Sequence, residues 1–261
     1  MSNYKILFLD IDGTIIRPDD TIEDSTKVAI KEVKKQGIEV FLATGRPLHE
    51  ISDIAEQLDI HSFIGYNGAY ATYREKDVVR EPMDSVVIEK YLQIAKKHQH
   101  EIVFYTDKNN AFTNMESKYT KEMIEKFHLH KNISFTPDIV KDILGVTLVN
   151  VGENETELYN HQGIHLSQVN VDGMRHCYDV IRDKVNKGFA VKKILELLDI
   201  HPENAIAFGD GMNDKEMLQF VGEGFAMGNG HPDLFSYAKH KTTEVTDSGI
   251  YNGLKSLGLL N

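Results

Sequence analysis

Short apolar runs recur along the first 81 residues, each closed by a turn signal and followed by a stretch with helical spacing. Lys5-Ile6-Leu7-Phe8-Leu9 ends at Asp10 and predicts a buried strand. After Thr21, the apolar positions Ile22, Ala29, Ile30 and Val33 predict a helix, with Asp24 placed as a shortened capping box and Gly37 as its stop. Residues 38–43 read as a second buried strand. Thr44-Gly45-Arg46-Pro47 reads as a turn, with Pro47 in the first turn of a helix running to about Leu58. Phe63-Ile64-Gly65 predicts a third strand, and the Asn67-Gly68 pair a hairpin whose return covers residues 69–73.

From Pro82 the rhythm changes. Helices are predicted over residues 84–98, 116–127 and 153–161, with strands over 101–106, 145–151, 165–169 and 176–181. Grouped strands and helices suggest an α+β module. After Asp183 simple alternation returns. Asn186 caps a helix over 187–198, followed by a strand at 205–209, a helix at 213–221, a strand at 224–227 and two short helices. Strands separated by single helices at both chain ends predict an α/β fold, one parallel sheet with helices on both faces. Residues 1–81 plus 183–261 would form that domain, and residues 82–182 an inserted one.

The chain has 261 residues, of which 41% are hydrophobic and 26% charged, which disfavours disordered and low-complexity classes. Its 29 basic and 40 acidic residues give a net charge of −11. Such a surface argues against broad binding to nucleic acid or anionic membranes, though not against a small anion in a local basic pocket. A single cysteine, Cys177, excludes an intramolecular disulfide and a cysteine-cluster metal site. With neither a signal peptide nor a membrane-length apolar run in view, a cytoplasmic protein is expected. The twelve histidines show no convincing ligand spacing: His161 and His165 stand four apart, but Gly163 lies between them.

Four segments carry candidate chemistry, each at the carboxyl end of a predicted strand or the amino end of a helix, the edge where open parallel sheets bind ligands. Asp10-Ile11-Asp12-Gly13-Thr14 places two carboxylates two residues apart beside a glycine turn. Thr44-Gly45-Arg46 offers a hydroxyl and a glycine amide to a phosphate oxygen. Lys187, next to the capping Asn186, puts a cation at a helix start against the macrodipole preference, a conflict a bound anion would relieve. Asp210-Gly211-Met212-Asn213-Asp214 supplies two carboxylates and an amide, oxygen ligands suited to a hard cation. Neither acidic segment has the spacing of an EF-hand calcium loop.

In this order the four segments resemble the haloacid dehalogenase (HAD) superfamily, and more narrowly the Cof-like hydrolases, phosphatases with a large α/β cap inserted into the core. Tyr66-Asn67-Gly68-Ala69 and Ala226-Met227-Gly228-Asn229 are similar to segments of the same group. The resemblance implies a Rossmann-like core and a Mg2+-dependent phosphatase of small organic phosphate monoesters acting through an aspartyl-phosphate. Asp10 would be the nucleophile and Asp12 the general acid–base. Asp10 and Asp210 would bind the metal through side chains and Asp12 through its backbone carbonyl, with Asp214 in support directly or through water. Ile11, Thr44, Gly45, Lys187 and Asn213 would hold the phosphoryl group, while Arg46 and Asn67 would face the substrate or the cap. Burial beside other carboxylates is expected to raise the Asp12 pKa. The insertion is expected to act as a lid. Sugar phosphates are the first substrate class, with flavin mononucleotide and pyridoxal phosphate as alternatives. A phosphomutase and a non-catalytic phosphate-binding regulator are the competing functional classes. The oligomeric state is not legible in the sequence.

Overall fold

The computed structural model describes residues 3–261. In chain order its strands are β1 (Ile6–Leu9), β2 (Glu39–Ala43), β3 (Phe63–Gly65), β4 (Tyr70–Tyr73), β5 (Lys76–Arg80), β6 (Glu101–Tyr105), β7 (Asn110–Phe112), β8 (Asn132–Ser134), β9 (Gly145–Val149), β10 (Ile164–Gln168), β11 (Tyr178–Arg182), β12 (Ala205–Gly209), β13 (Glu223–Ala226) and β14 (His240–Lys241). The α-helices are α1 (Asp24–Lys35), α2 (Ser52–Leu58), α3 (Ser85–His98), α4 (Lys118–Lys126), α5 (Lys187–Leu197), α6 (Lys215–Phe220) and α7 (Gly249–Ser256). The chain divides into two compact units. One holds the described residues up to Arg46 with Ser52–Val79 and Asn186–Asn261; the other holds Pro47–Ile51 and Arg80–Val185.

The first unit is built on an eight-stranded sheet in the order β14-β13-β12-β1-β2-β3-β4-β5. It is parallel from β14 to β3, and β4 returns antiparallel to β3. β1 is apolar at every position because both faces of a central strand are covered. Its Ile6 and Phe8 join Phe41, Ala190, Val191 and Ile194 in one cluster. The intervening Leu7 and Leu9 are equally buried and alternate to the opposite face. From β1 the chain steps outward through β2 and β3; it later re-enters at β12 and steps the other way through β13 and β14. The reversal falls between β1 and β12, whose register pairs Leu9 with Phe208. That is the topological switch point at which open α/β sheets form a crevice.

The second unit carries a six-stranded sheet in the order β10-β11-β9-β6-β7-β8, antiparallel except where β7 pairs with β8. Alternation along β6 sends Ile102 and Phe104 into one cluster with Tyr91 of α3, and Val103 into another with Met123 of α4 and Cys177. No helix among the described residues is long and apolar enough to cross a membrane.

Strands β5, β7, β8 and β14 fall on residues where the sequence predicts none, and three predicted helices take another form. The helix foreseen from Pro47 breaks into a 3-10 turn, Leu48–Glu50, before α2 begins at Ser52. The turn groups with the second unit, where the Glu50 carboxylate accepts from the Asn110 side chain at 2.7 Å and from the His130 amide at 2.9 Å. Residues 153–159 form a 3-10 stretch rather than an α-helix, its first turn tied by the Gly152 amide donating to Glu155 Oε2 at 3.1 Å. The predicted 213–221 helix begins as a 3-10 turn, Met212–Asp214.

Candidate functional site

Asp10 follows β1, Thr44 follows β2 and Asp210 follows β12, so the first, second and fourth segments reach the same sheet edge on adjacent strands. The Asp10 amide donates to the Phe208 carbonyl of β12 at 3.0 Å, which fixes the first loop against the switch point. The third segment arrives on α5. Its Asn186 side chain caps the helix by accepting from the Phe189 amide at 2.9 Å, which sets Lys187 as the first helical residue.

Lys187 is fully buried and its ammonium donates to Asp10 Oδ1 and Asp214 Oδ1, both at 2.6 Å. The helix-start cation is thus stabilised by two carboxylates. Burial alone would lower the lysine pKa, but Asp10 and Asp214 outweigh it and hold the group above its usual value. Burial pushes the Asp10 carboxyl well above the usual range; Asp214 adds to this and Lys187 opposes it. Asp210 is pushed up to about 6, first by burial and then by Asp214.

The donor set fits a divalent cation. Asp10, Asp210 and Asp214 each offer an oxygen within 4.8 Å of the others. Three carboxylates against one ammonium leave two negative charges in a largely buried pocket, the deficit a doubly charged ion would cancel. Hard oxygen ligands suit such an ion. Asp214 differs from the other two. Its Oδ1 faces Lys187, and its Oδ2 accepts from the Asp210 and Gly211 amides, each at 3.0 Å. It therefore locks the loop that carries Asp210, leaving Asp10 and Asp210 as the side chains best placed to meet a cation.

Asp12 lies apart from this buried cluster. Its side chain is 53% exposed and held bidentately by Arg46, with Nε to Oδ2 at 2.9 Å and an Nη2 contact to Oδ1. The expectation of a carboxyl buried beside other acids is corrected here, because the backbone turn after Ile11 carries Asp12 outward. The Ile11 carbonyl gathers the amides of Thr14, Ile15 and Ile16 in that turn. Arg46, expected to face substrate or a cap, is the partner of Asp12. Gly13 is required at φ +75°, and a Cβ there would sit 2.2 Å from Asp210 Oδ2.

Thr44 is fully buried, and its hydroxyl oxygen accepts from the Arg46 amide at 3.0 Å. Asn67 joins it from the β3–β4 connection: its amide donates to the Thr44 carbonyl at 3.1 Å, and its side-chain oxygen accepts from Asn213 Nδ2 at 3.1 Å. The Asn67 side chain lies over Gly45, where a Cβ would come within 3.1 Å of it. Thus Thr44, Gly45, Asn67 and Asn213 form one polar group. Asn229 has no role signalled by the sequence. It donates to the Gly13 carbonyl at 2.8 Å and accepts from the Val245 amide at 2.8 Å, bracing the first loop.

These charges predict a cation-dependent melting profile. The folded-state pKa of Asp210, raised to about 6 from 3.8, means that the cation-free folded protein holds a proton the unfolded chain has lost. This group's contribution to stability therefore falls as pH rises from about 4 through 6. A saturating divalent cation should raise Tm more at pH 7 than at pH 4.5, measured by calorimetry with and without chelator. Equal increments at both pH values would contradict the charge deficit.

A sequence model of the haloacid dehalogenase-like hydrolases matches residues 7–254. The Bacillus subtilis (strain 168) protein YkrA, named as a putative phosphatase, is 33% identical over 259 residues, covering 98% of each chain. YitU of the same organism, named as a 5-amino-6-(5-phospho-D-ribitylamino)uracil phosphatase, is 27% identical over 266 residues and 96% of each chain. A crystal structure of a hypothetical protein from Geobacillus kaustophilus HTA426 superimposes with a TM-score of 0.89 at 29% identity, covering 98% of this chain and 100% of its own.

Proposed function

From the premise that the chain belongs to the haloacid dehalogenase-like hydrolases and is a phosphoric monoester hydrolase, we propose that it is a Mg2+-dependent phosphatase of small organic phosphates using Asp10 as nucleophile. The observation that carries this reading is the buried Lys187–Asp10–Asp214 arrangement with Asp210 alongside at the switch point. It offers one carboxylate for attack and a charge deficit that a divalent ion would fill.

A phosphate dianion repels an attacking carboxylate. One pair of unit charges at ~4 Å is worth about 4 kcal/mol at an effective dielectric near 20. Lys187 supplies fixed positive charge against the Asp10 oxygen. Magnesium, held by the Asp10 and Asp210 side chains and the Asp12 backbone carbonyl, would add electrophilic polarisation of the phosphoryl oxygens. Thr44, Asn213 and the amides of Ile11 and Gly45 orient the group for in-line attack. Asp10 attacks phosphorus, the ester bond to the alcohol breaks, and an aspartyl-phosphate forms. Asp12 gives its proton to the departing alkoxide and then takes one from the water that hydrolyses the acyl phosphate. Protonated Asp12 carries no charge against Arg46, so that pair forms as the proton leaves in the first half-reaction and loosens as Asp12 takes one up in the second.

The test is phosphate release from a panel of phosphorylated metabolites by metal-stripped protein, before and after Mg2+ is added. Sugar phosphates head the panel. The likeness to YitU adds 5-amino-6-(5-phospho-D-ribitylamino)uracil as a second reading, beside the flavin mononucleotide and pyridoxal phosphate that the sequence offers. Release that is indifferent to Mg2+ would contradict the proposal. Asp12→Asn should lower kcat/KM, which reports only the half-reaction that expels the alcohol, on alkyl phosphates by ~10^2–10^4-fold, the usual range for a lost acid–base group. Its effect on p-nitrophenyl phosphate should be much smaller, because that leaving group needs little protonation. Equal losses of kcat/KM on both esters would remove Asp12 from protonating the leaving group.

A further inference from the structure

The connection between β3 and β4 passes through three consecutive left-handed residues, Tyr66 at φ +54°, Asn67 at +52° and Gly68 at +97°. Such residues ordinarily occur singly, and for a bulky side chain such as the buried Tyr66 the conformation is an outlier. The surroundings hold it in place. The Tyr66 amide donates to the Arg46 carbonyl at 3.2 Å, and the Asn67 amide to the Thr44 carbonyl at 3.1 Å. Gly68 packs against the residue that caps α5, where a Cβ would stand 2.1 Å from the Asn186 carbonyl oxygen. From the fourth segment, the Asn213 side chain donates to Asn67 Oδ1 at 3.1 Å. One strained turn thus meets the second, third and fourth segments, all within the first unit. Backbone strain over-determined by its neighbours clusters at functional sites.

We propose that Asn67 is a positioning residue of the phosphoryl site, which holds the Asn213 amide so that its second N–H is presented to the phosphoryl group. This rests on the phosphatase reading above and deepens it, since Asn213 is one of the donors which that reading sets on the phosphoryl oxygens. Asn213 is exposed and Asn67 half-buried, so water reaches the pair and their hydrogen bond adds little to folding. What the bond changes is orientation. A rotating carboxamide offers an anion either its N–H groups or its repelling carbonyl oxygen. With one Nδ2 hydrogen committed to Asn67 Oδ1, the sense of the Asn213 amide is set and the other hydrogen remains for an anion. A donor oriented in advance need not reorganise as the reaction proceeds.

The residue type at this position points the same way. Glycine would adopt φ +52° with less strain, and asparagine is among the few other residues that tolerate it. The backbone therefore does not need the side chain; Asn213 does. Glycine at 67 separates the two requirements, because it keeps the turn and removes only the amide.

The test is a double-mutant cycle on p-nitrophenyl phosphate with Mg2+. Asn67→Gly should lower kcat/KM by ~10-fold, and Asn213→Ala, which deletes the donor itself, by ~10^2-fold. The double variant should stay within about threefold of Asn213→Ala, because Asn67 then has nothing left to position; independent effects would multiply to ~10^3-fold. Orthovanadate, an analogue of the five-coordinate phosphoryl group, should inhibit Asn67→Gly ~10-fold less tightly than wild type. Calorimetry should place each single variant within about 4 °C of the wild-type Tm. The inference is overturned by a single variant whose kcat/KM stays within about threefold of wild type, by unchanged vanadate inhibition, by multiplying losses in the double variant, or by a larger fall in Tm. Each of those outcomes leaves the phosphatase reading standing. A wild type that releases no phosphate from p-nitrophenyl phosphate removes that reading, and the inference with it.

Discussion

Replacing Asp10 by Asn should reduce phosphate release by ~10^4-fold or more, a barrier increase above ~5 kcal/mol, because an amide oxygen does not attack phosphorus. The fold should survive. Asp10 is a buried carboxyl whose ionised form is disfavoured by its surroundings, and asparagine keeps an oxygen that can accept from the Lys187 ammonium. The variant should therefore melt at or slightly above the wild-type temperature in chelator. Steady-state phosphate assays with matched calorimetry separate the two effects. Retention of even one per cent of wild-type kcat with native Tm would assign the attack to another group.

Lys187→Met should fail in the opposite sense, losing stability along with activity. Removing one partner of a buried ion pair leaves uncompensated charge and typically costs about 3–5 kcal/mol. Here one ammonium serves two carboxylates, and neither it nor Asp214 has any exposure through which water could take over. At roughly 2–4 °C per kcal/mol for chains of this size, Tm should fall on the order of 10 °C. Part of that loss should return when a divalent cation is added, since the ion offsets the same negative charge. A variant that melts within about 2 °C of wild type in chelator would mean that the carboxylates are neutralised by protonation and that the lysine contributes little to folding.

The sequence displays the parts of this molecule governed by short-range rules. A strand buried on both faces reads as an uninterrupted apolar run, which is why β1 and β12 and the segments closing them could be placed without coordinates. The Asn186 cap was equally visible, because one side chain meets an amide three residues on. Strands β7, β8 and β14, of three, three and two residues, are too short to show a period. The break after Pro47 was hidden because Glu50 is held by partners 60 and 80 residues away. Within the site, residue types at strand ends announced which groups matter, but their division of labour depended on distant pairing. Nothing local says that Arg46 takes Asp12, 34 residues earlier, or that both oxygens of Asp214 are engaged by other groups.

The return of the chain at β12 also fixes when the protein becomes competent during synthesis. Asp10 and its two supports lie 177 and 204 positions apart in the order of translation, counting 187 − 10 for the lysine and 214 − 10 for the far aspartate. A nascent polypeptide emerging from the ribosome carries Asp10 well before it carries the groups that surround it, Lys187, Asp210 and Asp214. Chains released early should be inert whatever their first strands have managed to assemble.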